Sequence, residues 1–353
     1  MARRRPAPEL SREQILGFRR RVGLLEERVP VSGESLRRAA WAGLQDSAPR
    51  AALLSLHARV QGTGEGRWED PSLLQLCLVQ LCLVQLWGPR FSDYVVAAED
   101  LPVFSLGRMP EDARRRARAE DTAARLQAFL AGRRMPFGLA GRGMGVAPNS
   151  LRYAAPTGTV LIRWDGARQP VVWSVPAPGM DPREARWELA RRYLHVFGPA
   201  TPAGFARWAG VGRTEARLAF EGLASEVMPV RTPVGEAWIL SDDEPLLRRR
   251  PGNSSGTRLL PSGDAYFLLW GADRELLVPD AARRAELWTT RVWPGAVLVN
   301  GEVAGVWRRA GAEVSIGLWR GLSAREWEAV EAEALALPLP GVKGSISVRR
   351  KQD

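Results

Sequence analysis

The sequence predicts an α+β chain made of three consecutive helix–helix–hairpin units followed by a small strand-rich domain. Three observations predict it. Apolar residues recur at helical spacing in successive segments, pairs of short strand-like runs follow them, and turn residues mark the joints. With 353 residues and 45% hydrophobic content, the chain carries enough apolar side chain for two or three packed domains.

The first unit is placed at residues 1–109. Its opening helix, expected over 11–25, starts at Ser11 with Gln14 three positions on, the pairing of a reciprocal N-cap. It sets Ile15, Phe18, Val22 and Leu25 near helical spacing. Two more helices are expected over 32–44 and 48–60, with Ser47 capping the second and Pro49 tolerated in its first turn. The chain then repeats itself: LCLVQ occurs at 76–80 and again at 81–85, and a period of five fits neither helix nor strand. We read this as a duplication that lengthens a wing hairpin, with a short buried helix around Cys77 and Cys82 as the alternative. Residues 93–97 form the second limb and lead into 99–108.

The second unit spans 110–178. A long charged helix over 110–132 closes at Gly132, and a flexible basic connection over 133–145 carries four glycines. A short helix over 149–155 and strands over 159–164 and 169–175, joined by Asp165 and Gly166, complete it. The third unit, 179–243, repeats the order with helices over 182–197, 202–209 and 213–224 and strands over 227–232 and 236–241. Helix plus hairpin is the minimal winged-helix signature, so three tandem winged-helix units are expected. Residues 244–353 begin with a charged linker to 256. Short strands follow over 266–270, 275–279, 297–299, 303–308 and 314–318, with a hairpin at Asn300 and Gly301 and a closing helix over 323–337. These point to a β-barrel-like domain.

The formal net charge is +11, and of the 50 basic residues only Lys343 and Lys351 are lysine. Guanidinium groups stay charged and clamp phosphates with paired hydrogen bonds, so this composition suits a polyanion, nucleic acid first. Arginines that simply solvate the surface of a protein from a GC-rich genome would give the same charge. The scarcity of lysine also disfavours Schiff-base chemistry, which needs an amine able to lose its proton. Cys77 and Cys82 are too few for a disulfide framework and lack zinc-ligand spacing, which fits a reducing cytoplasm. The basic start MARRRPAPEL has no apolar segment behind it, and no membrane span is expected.

The segment LQDSAPRAALLSLHARV, residues 44–60, sets a polar Gln-x-Ser triplet between two helical stretches. It resembles the signature of the crosslink-repair DNA glycosylases of the AlkZ and YcaQ type, where a Gln-x-Gln or Gln-x-Asp pair orients the water that attacks a sugar carbon. The blocks SLRYAAPTGTVLIRWDG, ARRYLHVFGPATPAGFARWAGV, TRLLPSGDAYFLLWG and VLVNGEVAGVWRR resemble the family as well, so the similarity covers most of the chain. It implies three winged helices around a concave basic DNA channel and a C-terminal barrel. Two departures stand out: Ser47 replaces the second Gln or Asp, and Arg90-Phe91-Ser92-Asp93-Tyr94 stands where many members have Arg-x-Thr-x-His.

A base alkylated on a ring nitrogen is already cationic and leaves without a general acid. The protein then has to position water and favour an oxocarbenium-like sugar, tasks open to an amide and a hydroxyl. Gln45 is the candidate for holding water and Ser47 for a supporting hydrogen bond, with Asp46 expected to point away. Read as structure alone, Ser47 caps a helix and Gln45 bonds backbone. His57 and His195 read as packed or surface residues. They are too far apart for a metal site, and no cofactor is expected.

For double-stranded DNA the candidate contacts are Arg50, Arg90, Arg133, Arg134, Arg142, Asn149, Arg152, Arg163 and Arg168, with Phe91 or Tyr94 as a wedge at a hairpin tip. Trp173, Trp187, Trp208, Trp238 and Trp307 are assigned to cores. The expectation is a monomeric, cytoplasmic, monofunctional glycosylase acting on cationic alkylated purines and on interstrand crosslinks. A non-catalytic winged-helix DNA binder and a protein-interaction module are the rivals.

Overall fold

A computed structural model describes residues 7–48, 50–63, 76–78, 81–164, 169–249, 256–339, 341–342 and 344–351. Ser11 and Gln14 form the expected reciprocal cap of α1 (Arg12–Val22), and Ser32 caps α2 (Gly33–Ala39). After β1 (Leu44–Gln45) and α3 (Ala51–His57), the duplicated segment forms two antiparallel strands, β2 (Leu76–Leu78) and β3 (Leu81–Trp87), with Leu78 opposite Leu81. A hairpin, and not a helix, is therefore the fold of the repeat. Residues 79–80 at its turn lie outside the described residues.

β4 (Asp93–Ala97) and α4 (Leu101–Leu106) close the first unit, and α5 (Ala113–Leu130) opens the second. The sequence predicts a flexible connection over 133–145, yet this stretch folds as β5 (Met135–Pro136) and α6 (Phe137–Gly143). Three of its four glycines serve close packing: a Cβ on Gly141, for example, would lie 2.7 Å from Pro148 Cα. A 3-10 helix at Pro148–Thr157 leads to β6 (Val160–Arg163) and β7 (Val171–Ser174); residues 165–168 between the two strands lie outside the described residues. The strands of both units share one sheet, ordered β1-β4-β3-β6-β7-β5, with β2 pairing β3. The junction is the pairing of Gln85 in β3 with Ile162 in β6.

The third set comprises α7 (Pro182–Phe197), α8 (Pro202–Ala209), α9 (Arg213–Gly222) and the separate hairpin of β8 (Val227–Thr232) and β9 (Gly235–Leu240). Asp181 and Thr201 cap the first two of these helices with Pro at the first helical position, as their sequences suggest. Trp208 and Trp307 are fully packed and Trp173 nearly so, whereas Trp187 is half-buried. Trp238 lies on the open face of the β8–β9 hairpin, a correction to its expected core role.

In the C-terminal part, α10 (Glu244–Leu247) precedes β10 (Thr257–Leu260), α11 (Asp273–Leu277) and α12 (Ala281–Leu287). The sheet strands β11 (Gly295–Val299), β12 (Glu302–Ala310), β13 (Glu313–Leu318) and β14 (Ser347–Arg350) follow, with α13 (Ala324–Leu335) before the last. The expected strands over 266–270 and 275–279 are instead a 3-10 turn and α11. A fully buried apolar run such as Tyr266 to Leu269 has no period to betray its conformation, and Asp264 caps the turn through the Tyr266 N–H. Without those strands the sheet β10-β11-β12-β13-β14 is open among the described residues, not a closed barrel. Val330, Ala334 and Leu337, on and just beyond α13, pack on its face with Leu259, Val297 and Ile316.

Candidate active site and nucleic-acid interface

β1 is only two residues long, and its pairing with β4 sets Gln45 opposite Tyr94 and Leu44 opposite Val95. The ladder continues one step further, since the Asp46 N–H donates to the Asp93 carbonyl at 2.7 Å. Alternation along the extended backbone sends Asp46 inward and Gln45 and Ser47 outward. Gln45 Nε2 donates to Ser47 Oγ at 3.0 Å, and among the described residues Gln45 Oε1 accepts no hydrogen bond. The turn at residues 261–264 closes over the amide: Gly263 has φ +77°, and a Cβ there would lie 3.0 Å from Gln45 Cδ.

The cap preference of serine predicts Ser47 at the start of the next helix. The structure differs: the N-cap position of α3 is Arg50, in left-handed conformation, and the side chain that reaches the helix is Asp46, whose Oδ1 accepts from the Ala52 N–H at 3.0 Å. The carboxylate takes the inward, desolvated role, which leaves the Ser47 hydroxyl exposed and beside Gln45. Asp46 Oδ2 accepts from Gln85 Nε2 at 2.8 Å, and Gln85 Oε1 accepts from the Trp164 N–H at 2.7 Å. Burial pushes the Asp46 carboxyl up to about 7. The Ala52 N–H, Arg50 and Arg163 pull against that, and Asp93 adds to it. Asp93 itself is pushed up to about 6, again by burial first, with Arg152 opposing.

Several expected DNA contacts surround this pair. Arg50 is 8% exposed and its Nη1 donates to the Trp164 carbonyl at 3.0 Å, so it braces the β6–β7 hairpin instead of pointing at solvent. Arg163, half-buried, lies near enough to Asp46 to act on its charge, and Arg168 is outside the described residues. Arg152 Nη1 donates to the Phe91 carbonyl at 3.3 Å. Phe91 is not a free wedge, because its ring meets Tyr153 edge-on at 5.7 Å with Arg108 above it at 5.2 Å. Tyr94 is 2% exposed and belongs to the core, which withdraws it as a contact. A Cβ on Gly43 or Gly88 would collide with its ring, so both glycines make room for it.

Arg133, Arg134, Arg142 and Asn149 are exposed on and around α6, apart from the Gln45 cluster. Arg133 donates to the Leu130 and Phe129 carbonyls at the end of α5, and Arg134 lies over Trp173 at 5.2 Å. Arg90 is exposed at the turn before β4 and lies over Trp270 at 5.2 Å.

Residues that sequence reading passed over join Arg90. Burial first, and then the charges of Arg207 and Arg90, lower the pKa of Arg274. Arg207 and Trp270 line one cavity of about 230 Å³. Among the described residues neither Arg90 nor Arg207 forms an ion pair, although Glu236 and Asp273 line the same cavity as Arg207, so three cations from separate stretches of chain lie near one another. No short-range pattern in the sequence links them. Gln85 was missed too, although a Gln inside an apolar strand is a local signal of buried hydrogen bonding.

His195 Nδ1 pairs with Asp243 at 2.9 Å, and His57 closes α3 with its pKa lowered by burial and by Arg28. Among the described residues no group of three or more His, Cys, Asp or Glu could hold a metal ion, and no helix is long and apolar enough to cross a membrane.

Comparison with known proteins adds to this geometry. A family model described as AlkZ-like DNA glycosylase matches residues 39–338. A curated Streptomyces sahachiroi protein, named interstrand DNA cross-link repair glycosylase, is 31% identical over 162 residues, 44% of this chain and 42% of its own length. The match therefore spans less than half of that relative. The solved structure of Streptomyces sahachiroi DNA glycosylase AlkZ superposes with a TM-score of 0.76 at 18% identity, covering 97% of this chain and 100% of that one, a likeness of fold.

Proposed function

This chain belongs to the AlkZ-like DNA glycosylase family, and on that premise we propose that it is a monofunctional DNA glycosylase. Its substrates are purines made cationic by alkylation, N7-alkylguanine first, in double-stranded DNA, with interstrand crosslinks unhooked by the same cut. The observation that carries the reading is the Gln45–Ser47 pair. Ser47 holds the amide through its NH2 group, and among the described residues Oε1 of the half-buried Gln45 accepts no hydrogen bond. A water donating to that oxygen has its lone pair directed outward, toward a sugar carbon. As the glycosidic bond breaks, its electrons neutralise the cationic base. Water oxygen bonds to the sugar and its proton passes to solvent, so no strong base is required.

The three helix–hairpin sets act, in this reading, as winged helices on one duplex. The neighbouring arginines Arg90, Arg207 and Arg274 and the exposed Arg134 and Arg142 supply phosphate contacts. An open groove, without a tight base pocket, accommodates bulky adducts. The test is release of N7-methylguanine from a methylated duplex. Gln45→Ala should lower the rate about 100-fold while duplex affinity stays unchanged. Ser47 is a weaker polar group than the family's Gln or Asp, which favours a second reading, a DNA binder without catalysis. Intact adducts after prolonged incubation with tightly bound protein would select it.

A further inference from the structure

The water-holding pair is wired to the second hairpin by a buried relay whose polarity is fixed at every step. The Trp164 N–H donates to Gln85 Oε1 at 2.7 Å, Gln85 Nε2 donates to Asp46 Oδ2 at 2.8 Å, and the Ala52 N–H donates to Asp46 Oδ1 at 3.0 Å. Asp46 and Gln85 are 2% and 3% exposed. Both oxygens of Asp46 meet donors, so the carboxylate fits and a carboxamide does not. Turning the Gln85 amide over to suit a donor at position 46 would leave the Trp164 N–H facing another N–H. Arg50 closes the circuit from the other side by donating to the Trp164 carbonyl.

Trp164 directly follows β6 of the β6–β7 hairpin, and Gln45 and Ser47 flank Asp46 directly. A shift of the hairpin against β3 therefore moves Gln85 and, through it, the loop that carries the pair. We propose that Asp46 and Gln85 are positioning residues that lock the Gln45–Ser47 pair to the β6–β7 hairpin, so that seating the hairpin on DNA and aiming the water are one event. The inference rests on the glycosylase reading above for its consequence in rate, though not for the relay itself.

The relay can be inverted. In Asp46→Asn the Nδ2 group faces a donor, and in Gln85→Glu two carboxylates meet. In the double variant Asp46→Asn/Gln85→Glu, however, the new amide oxygen accepts from the Ala52 N–H and its NH2 group donates to the carboxylate introduced at position 85, whose other oxygen accepts from the Trp164 N–H. Base release from N7-methylguanine duplex and hydrogen exchange of the Trp164 amide are measured in all four proteins. Each single variant should release base about 100-fold more slowly at unchanged duplex affinity, the scale of a misplaced reacting group, and should lose protection at Trp164. The double variant should recover both, the rate to within about threefold. Single variants with the wild-type rate would overturn the proposal. So would a double variant that regains Trp164 protection without regaining rate. Failure of the wild type to release base at all would sink the glycosylase reading, and the exchange data would still decide whether the relay exists.

Discussion

Asp46 carries a conflict between stability and activity. Burial raises its carboxyl to about 7, Arg50, Arg163 and the Ala52 N–H oppose that rise, and Asp93 on the neighbouring strand supports it. The relay with Gln85 needs the ionised form, so base release should fall as pH drops from 8 to 6, with a midpoint near 7. Asp46→Asn should lack that limb in its residual activity. Stability runs the other way. The folded value lies above the unfolded value of about 4, so the folded state binds this proton more tightly. The stabilisation is complete below about pH 4 and is lost as pH rises through 7, up to about 4 kcal/mol for one group. Melting temperatures of wild type and Asp46→Asn, compared at about pH 4.5 and 7.5, should diverge in favour of Asn as pH rises, and a constant difference would count against the burial of a charge. Gln45 stood out in the sequence because a polar triplet between two helices is unusual, and the fold sets it beside Ser47. That Asp46 points away from the pair was legible from the divergence of adjacent side chains; that it and not Ser47 serves the helix start was not, because a carboxylate with two buried donors displaced the cap preference of Ser.

At the scale of elements, the site is closed by a turn from the C-terminal part, and that turn is tied down by a buried ion pair. Arg59, just beyond α3, meets Asp264 through two hydrogen bonds at 2.6 and 2.7 Å, and Ser55 Oγ donates to the same carboxylate at 2.8 Å. Removing one partner strands the other, so Asp264→Ala should cost about 3–5 kcal/mol, read as a lower denaturation midpoint. Gly263 beside it is a finer probe. Its φ of +77° strains any side chain, and a Cβ would press on the Gln45 amide. Gly263→Ala should cost roughly 1–2 kcal/mol in stability and slow base release while sparing duplex affinity. Capped helices such as α1, α7 and α8 were legible because cap and period agree locally. The 266–270 and 275–279 segments were not, because the buried runs Tyr266 to Leu269 and Leu276 to Val278 show no alternation that tells strand from helix. The glycines of 133–145 read as flexibility, whereas Gly141 and Gly143 allow close contact with Pro148 and Phe129.

Over the whole molecule, the excess charge is spread along the sequence, and the fold decides where it acts. Arg90 stands before β4, Arg207 on α8 and Arg274 on α11, three stretches that no sequence pattern connects. Folding lays Arg90 over Trp270 and sets Arg207 in the cavity that Trp270 lines, while Arg274, over Trp288 and Trp293, feels both charges, with burial and like charge lowering its pKa. Such an arrangement is costly in the free protein and is relieved by an anion, which a duplex supplies as consecutive phosphates. Each phosphate neutralised releases condensed counterions, so the logarithm of the binding constant should fall steeply and linearly with the logarithm of salt concentration. Arg90→Ala and Arg207→Ala should each flatten that slope by about one unit and weaken binding alike for damaged and undamaged duplex. Gln45→Ala should leave the slope untouched, because an amide at the bond to be cut releases no counterion. A slope unchanged by both arginine variants would place the phosphate path elsewhere, on the exposed arginines around α6, and Arg134→Ala and Arg142→Ala would then flatten it instead.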